Sequence, residues 1–205
     1  MNYKNILKTF FVYIIAIVLM DSLTNPYKNN VLLYTILQII FLIITLFIIL
    51  KINKIKLKYI KKPSKKDYLT TIIIFSIFTT LTLLSTYIIN KFISIPLNEE
   101  LIREEFIKYP ILSIISSCLI TPIIEELLFR YNFKNIKNKY LYIIITTLFF
   151  SLLHLSSLNE ILYLIPYSFM GIMFSYSYIK TNNLLSPIIC HILYNIINVI
   201  ILFYF

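Results

Sequence analysis

Tryptophan is absent from these 205 residues, glycine occurs once, at Gly171, and there are only two cysteines, two histidines and nine acids. With one glycine there is no Gly-x-Ser-x-Gly nucleophile elbow, which removes one familiar serine hydrolase arrangement. Cys118 and Cys190 both lie in apolar runs, where a free thiol behaves as a small buried hydrophobe. Neither a disulfide framework nor a Cys-x-x-Cys metal knuckle is expected. Cys190 precedes His191, but neighbours i and i+1 face different sides of a helix and do not make a ligand pair. Charged residues amount to 14% of the chain, against roughly 25% in soluble domains, so water is not the solvent of most of its surface. Scarce glycine and tryptophan beside abundant Lys, Asn and Ile follow the drift of an AT-rich, bacterial-type genome and carry little functional information.

What is present is hydrocarbon: 59% of the residues are hydrophobic and the mean hydropathy is +0.84. About 20 apolar residues cross a bilayer as a helix. Runs bounded by charge or turn residues give seven candidate spans near 6–23, 31–50, 68–90, 109–131, 140–157, 160–179 and 184–204. The expected fold class is an all-α integral membrane protein, a bundle of 7–8 transmembrane helices in one domain over 1–205. The formal charge of +10 does not signal nucleic acid, because the cations lie between apolar segments and form no stripe interleaved with aromatics. They set orientation instead. Eight lysines from Lys51 to Lys66 assign that joint to the cytoplasm. Alternation then puts Lys4, Lys8, Arg130 to Lys139 and Lys180 inside, and Lys28, the Glu99–Lys108 stretch and Glu160 outside. No small-residue cleavage site follows Lys4 and Lys8, so the first span is expected to be retained. A multi-pass protein of the cell membrane with a cytoplasmic N-terminus follows. The segment 95–108, with Glu99, Glu100, Glu104 and Glu105 at helical spacing, reads as a solvated amphipathic joint in the outer interface.

Ionisable side chains inside a span are costly and tend to face a bundle interior or a water-filled cavity. Both histidines fall in apolar runs, Phe150-Ser-Leu-Leu-His154 and His191-Ile-Leu-Tyr-Asn195, and a third cluster is Pro122-Ile-Ile-Glu125-Glu126-Leu-Leu-Phe-Arg130. Glu126 and Arg130 are i,i+4 with the acid first, a spacing that favours an ion pair, while Glu125 is rotated about 100 degrees away. His191 and Asn195 share a face by the same spacing, and Phe150 is placed to wall His154. Depth adds a condition. If the fourth span stopped at Arg130, Glu125 would lie near one face with His154 roughly 20 Å from it, so the helix is expected to run on to about Lys137 with Arg130 internal. Ser151 near His154 suggests a Ser–His dyad, but no free acid is evident to orient it. Asp21, Gln38 and Asn198 read as packing or interfacial polar residues, and Gly171 as a point of close helix approach.

These three clusters, in this order, resemble the CPBP (ABI) intramembrane proteases, which include the CAAX prenyl endopeptidases. Their motifs Glu-Glu-x-x-x-Arg, Phe-x-x-x-His and His-x-x-x-Asn stand here as Glu125-Glu126-Leu-Leu-Phe-Arg130, Phe150 to His154 and His191 to Asn195. The likeness covers about 115–205 and divides the chain into N-terminal spans, 1–108, and a catalytic core, 109–205. It implies an eight-helix or similar fold, in which 97–108 would be the extra helix, and catalytic residues Glu125, Glu126, Arg130, His154, His191 and Asn195. Glu125 would be the base, His154 would share the water, His191 and Asn195 would donate to the carbonyl oxygen, and Glu126 with Arg130 would fix the geometry. Tyr131 departs from the glycine often found after the motif arginine. No cofactor is expected, although Glu125, His154 and His191 would be the zinc ligands of a metal-dependent version. The expected partners are a peptide or membrane-protein substrate and the lipid bilayer. A non-catalytic bacteriocin self-immunity protein is the alternative. A proton-coupled transporter would need an inverted repeat, and none is visible.

Overall fold

The structure, a computed structural model, describes residues 3–27, 30–55 and 60–204. Lys28, Lys56 and Lys58, on which part of the charge argument rests, lie outside the described residues. Among the described residues eight α-helices follow in order: α1 Tyr3–Thr24, α2 Val31–Asn53, α3 Lys65–Ile89, α4 Leu97–Lys108, α5 Pro110–Tyr131, α6 Lys139–Leu152, α7 Leu164–Thr181 and α8 Leu185–Tyr204. No strand occurs among the described residues, so the chain is all-α. Over Lys4–Thr24, Leu32–Asn53, Lys65–Ile89 and Pro110–Tyr131 the helices are long and apolar enough to cross a membrane, and α6 and α8 supply shorter apolar helices. It is a multi-pass membrane protein.

The ends of the helices are written in side chains. Ser64 and Asp67 form a capping box at the start of α3, and Asn30 and Asn138 accept from the first free N–H groups of α2 and α6. Pro110 opens α5, where its missing N–H costs nothing. Glycine is the usual residue past a helix C-terminus, and with none available Lys54 and Asn182 take the left-handed conformation there, at φ 45° and 49°.

α7 packs between α3 and α6 and also touches α8, while α5 is enclosed by α2, α6 and α8. These two helices carry much of the buried core, including Leu127, Phe129, Met173 and Phe174. Gly171 of α7 meets α6 at Thr147, as its isolation in the sequence suggested. A Cβ there would stand 3.0 Å from Thr147 Cα.

Two boundaries differ from expectation. α5 ends at Tyr131, short of Lys137, and continues into a turn over 132–135. Arg130 is internal all the same, because Phe129 to Phe133 are all buried and the turn is folded into the bundle. The span expected over 140–157 ends at Leu152. The 14 residues of α6 reach only about 21 Å, against a hydrocarbon core of about 30 Å. A 3-10 turn, Leu158–Tyr163, leads into α7.

Candidate active site

α5 does not keep a uniform α-helical register. Ile114–Ile120 and Leu127–Tyr131 are wide π turns on either side of Glu125 and Glu126, a distortion frequent at functional sites. The first has a readable cause. Thr121 N–H bonds the Ser116 carbonyl, an i to i−5 step. The next step in that register would run from residue 122 to Ser117, and Pro122 has no N–H to give. The Ser117 carbonyl is taken instead by Asn195 Nδ2 of α8, at 2.8 Å.

Glu126 and Arg130 are both fully buried and lie 3.1 Å apart, Oε2 to Nε. The guanidinium donates through Nη2 to the Gly171 carbonyl at 3.3 Å. It also lies over the rings of Phe150 and Phe174, at 5.0 and 5.2 Å, where a cation is attracted by the ring faces. The other carboxylate oxygen of Glu126 stands 3.0 Å from His191 Nδ1. Glu126 thus has two partners, and Glu125 faces elsewhere, as the 100-degree rotation between neighbours requires.

His154 lies just past the end of α6. Its Nδ1 is 2.7 Å from the Phe150 carbonyl. A carbonyl only accepts, so Nδ1 carries the hydrogen, and the ring caps the helix where the backbone ladder stops. In the neutral ring, Nε2 then holds the lone pair and points to Glu125 Oε2 at 3.8 Å. His191 Nε2 stands at the same 3.8 Å from the same oxygen. Phe150 packs on His154 with centroids 4.2 Å apart, and Phe174 stacks on His191 at 4.3 Å. Oε2 of Glu125 has no hydrogen-bond partner. The side chains of His154, Glu125 and His191 are 20%, 10% and 4% exposed, so the approach to the cluster lies on the His154 side.

Five of the six residues singled out by spacing therefore meet, with Glu125 and the two imidazoles at the centre and Glu126 and Arg130 behind them, while Asn195, one turn beyond His191 on α8, is bonded to the Ser117 carbonyl. Phe174, the Gly171 carbonyl and Tyr167, whose ring lies 5.1 Å from His154, were not anticipated. Tyr167, Gly171 and Phe174 do recur at i, i+4 and i+7, the signature of one helix face.

Residues 107–197 match the family described as Type II CAAX prenyl endopeptidase Rce1-like. A protein of Mycoplasma capricolum subsp. capricolum, itself described as uncharacterized, is 34% identical over 96 residues. That stretch is 46% of this chain and 28% of the relative, so the chain spans only a small part of the relative it matches. No solved structure matches. Over residues 107–197 the chain is thus similar to the CAAX prenyl endopeptidases, which supports the resemblance carried by its three motifs.

Proposed function

We propose that residues 109–205 form an intramembrane endopeptidase in which Glu125 and His154 activate water against a peptide carbonyl. The observation behind this reading is the convergence of Glu125 Oε2 with two imidazole Nε2 atoms, each 3.8 Å away. That separation is too long for direct hydrogen bonds, Oε2 is closed to solvent in this arrangement, and in this reading a water enters from the His154 side to bridge the three. Glu125 takes a proton from the water as its oxygen attacks the carbonyl carbon, and His154 holds the same water in line. His191, when protonated on both nitrogens, donates one N–H to Glu126 and the other to the developing oxyanion. Asn195 adds its second amide hydrogen there, the first being held by Ser117. The proton taken up then passes to the leaving amine as the carbon–nitrogen bond breaks, giving a carboxylic acid and an amine.

Zinc would need its donors about 2.0–2.2 Å away. Glu125, His154 and His191 would be its ligands in a metal-dependent version, and no step is drawn through a metal here. Inhibition by a tight chelator, reversed by zinc, would overturn this choice.

The substrate we expect is a peptide precursor, leader or membrane-protein tail. The lysine-rich joint before α3 faces the cytoplasm of the cell membrane in this reading, as does the N-terminus. The test is turnover of a fluorescent peptide panel by purified protein in liposomes, beside Glu125→Gln and His154→Ala. Loss of cleavage in both variants is expected. Equal turnover in all three, or cell protection that survives Glu125→Gln, favours a binding protein such as an immunity factor.

A further inference from the structure

The acids of α4 do not behave as one solvated face. Glu100 and Glu104 are exposed, but Glu99 is half-buried and its Oε1 accepts from the Tyr167 hydroxyl at 3.1 Å. Glu160, buried in the 3-10 turn before α7, accepts through one oxygen from Leu97 N–H at 3.1 Å and through the other from Ser156 N–H at 2.8 Å. It thereby caps the N-terminus of α4 and ties it to the loop that follows His154. Tyr163 OH bonds Asn90 at the end of α3. The first turn of α4 is thus fixed to the segment 156–167 at two points, and that segment borders the most exposed side of the candidate site.

Tyr167 is where this polar frame meets the chemistry. It is buried, with its ring centroid 5.1 Å from the His154 imidazole. Phe150 lies against the same imidazole at 4.2 Å. His154 has left the regular helix, so its backbone is held by one bond, from its N–H to the Ser151 carbonyl at 3.2 Å. Two rings and the Phe150 carbonyl must define its position. Of these, only the Tyr167 ring is anchored from outside α6.

We propose that Tyr167 is a positioning residue for His154 and that Glu99 of α4 fixes Tyr167 for this purpose. The inference rests on the peptidase reading for its effect on rate, but not for its effect on the imidazole. α4 is then a strap that sets the geometry of the site, and the hydroxyl of Tyr167 does its work without touching substrate. Burial pushes the Glu99 carboxyl above its ordinary range, with Glu160 adding to the rise, while the Tyr167 bond and Arg103 pull it back. Gln at 99 keeps an acceptor for the tyrosine, whereas Ala does not.

The experiment uses the full chain in lipid nanodiscs, labelled with 15N histidine. The two histidines give two sets of ring signals, assigned with His191→Gln. In the parent and in Glu99→Gln, His154 should show one tautomer, with the hydrogen on Nδ1. In Glu99→Ala, Tyr167→Phe and Tyr167→Leu it should become a mixture, with His191 unmoved. In the peptide assay, Glu99→Ala and Tyr167→Phe should each lower kcat about tenfold at nearly constant KM. The double variant should be no worse than either, because one contact is removed. An unchanged His154 signal in Tyr167→Leu, or additive losses in the double variant, overturns the proposal. Absence of turnover in the parent would sink the peptidase reading instead, and the ring signals would still decide this one.

Discussion

His191 Nδ1 stands 3.0 Å from Glu126 Oε1, which binds α8 to α5 through a carboxylate already paired with Arg130. Glu126 is the hub of a buried charge network. Removing one partner leaves a charge uncompensated in a medium of low dielectric, and costs about 3–5 kcal/mol. Arg130→Met and Glu126→Gln should each lower the thermal unfolding midpoint in detergent strongly. The double variant should lose clearly less than the sum. Additive losses would show that the pair does not share its stabilisation.

The link between Pro122 and Asn195 gives a second expectation. Asn195→Ala strips the Ser117 carbonyl of its donor, at a cost of about 1–3 kcal/mol for a buried unsatisfied group. Pro122→Ala supplies a backbone N–H in that place. In the Pro122→Ala background the Asn195→Ala cost should fall to less than half. Unfolding midpoints of the four proteins measure this, and an equal cost in both backgrounds removes the account.

Gly171→Ala drives a methyl to 3.0 Å from Thr147 Cα and Cγ2. Overpacking of this kind costs about 1–3 kcal/mol, and here it also displaces the carbonyl that holds Arg130. Thr147→Ala should recover only part of the loss, since one of the two closest atoms is backbone. Complete recovery in the double variant would show that the backbone contact is harmless.

Glu99 predicts a pH dependence of stability. Its folded-state carboxyl titrates above the ordinary value through burial, so the folded state binds the proton more tightly than the unfolded chain. Its contribution is present in full below the unfolded value of about 4.3 and is lost as pH rises through the raised one. Glu99→Gln should therefore raise the unfolding midpoint relative to the parent at pH 7 to 8, with the gap closing near pH 4.5. A gap that widens on acidification would reverse the sign and refute the assignment.

The central cluster was legible because lipid makes polar residues conspicuous. Glu125, His154 and His191 stand out in their apolar runs, and i,i+4 spacing was enough to separate Glu126, facing Arg130, from Glu125. The end of α5 was less legible, since Asn132 and Lys134 look like solvated punctuation, yet Asn132 is buried in a turn folded into the bundle. The early end of α6 was hidden for a related reason: the imidazole of His154 replaces a backbone donor, and no hydropathy pattern records that. Tyr167 was invisible among 17 tyrosines, because its role depends on Glu99 and Glu160, which come from separate segments. The split of the α4 acids into exposed and half-buried pairs is likewise a property of what packs against the helix.

The shortness of α6 bears on how such a site would obtain one of its two reactants. A membrane-embedded segment would already lie in the bilayer, but hydrolysis consumes solvent, and solvent is what the hydrocarbon interior withholds. Where the helix gives out after about 21 Å, backbone groups from Leu153 onward sit below the level at which a full-length span would surface. The N–H groups from Leu153 to Ser156 are paired within the protein, so in the proposed reading the solvent that hydrolysis consumes would enter along the 20% exposed side chain of His154.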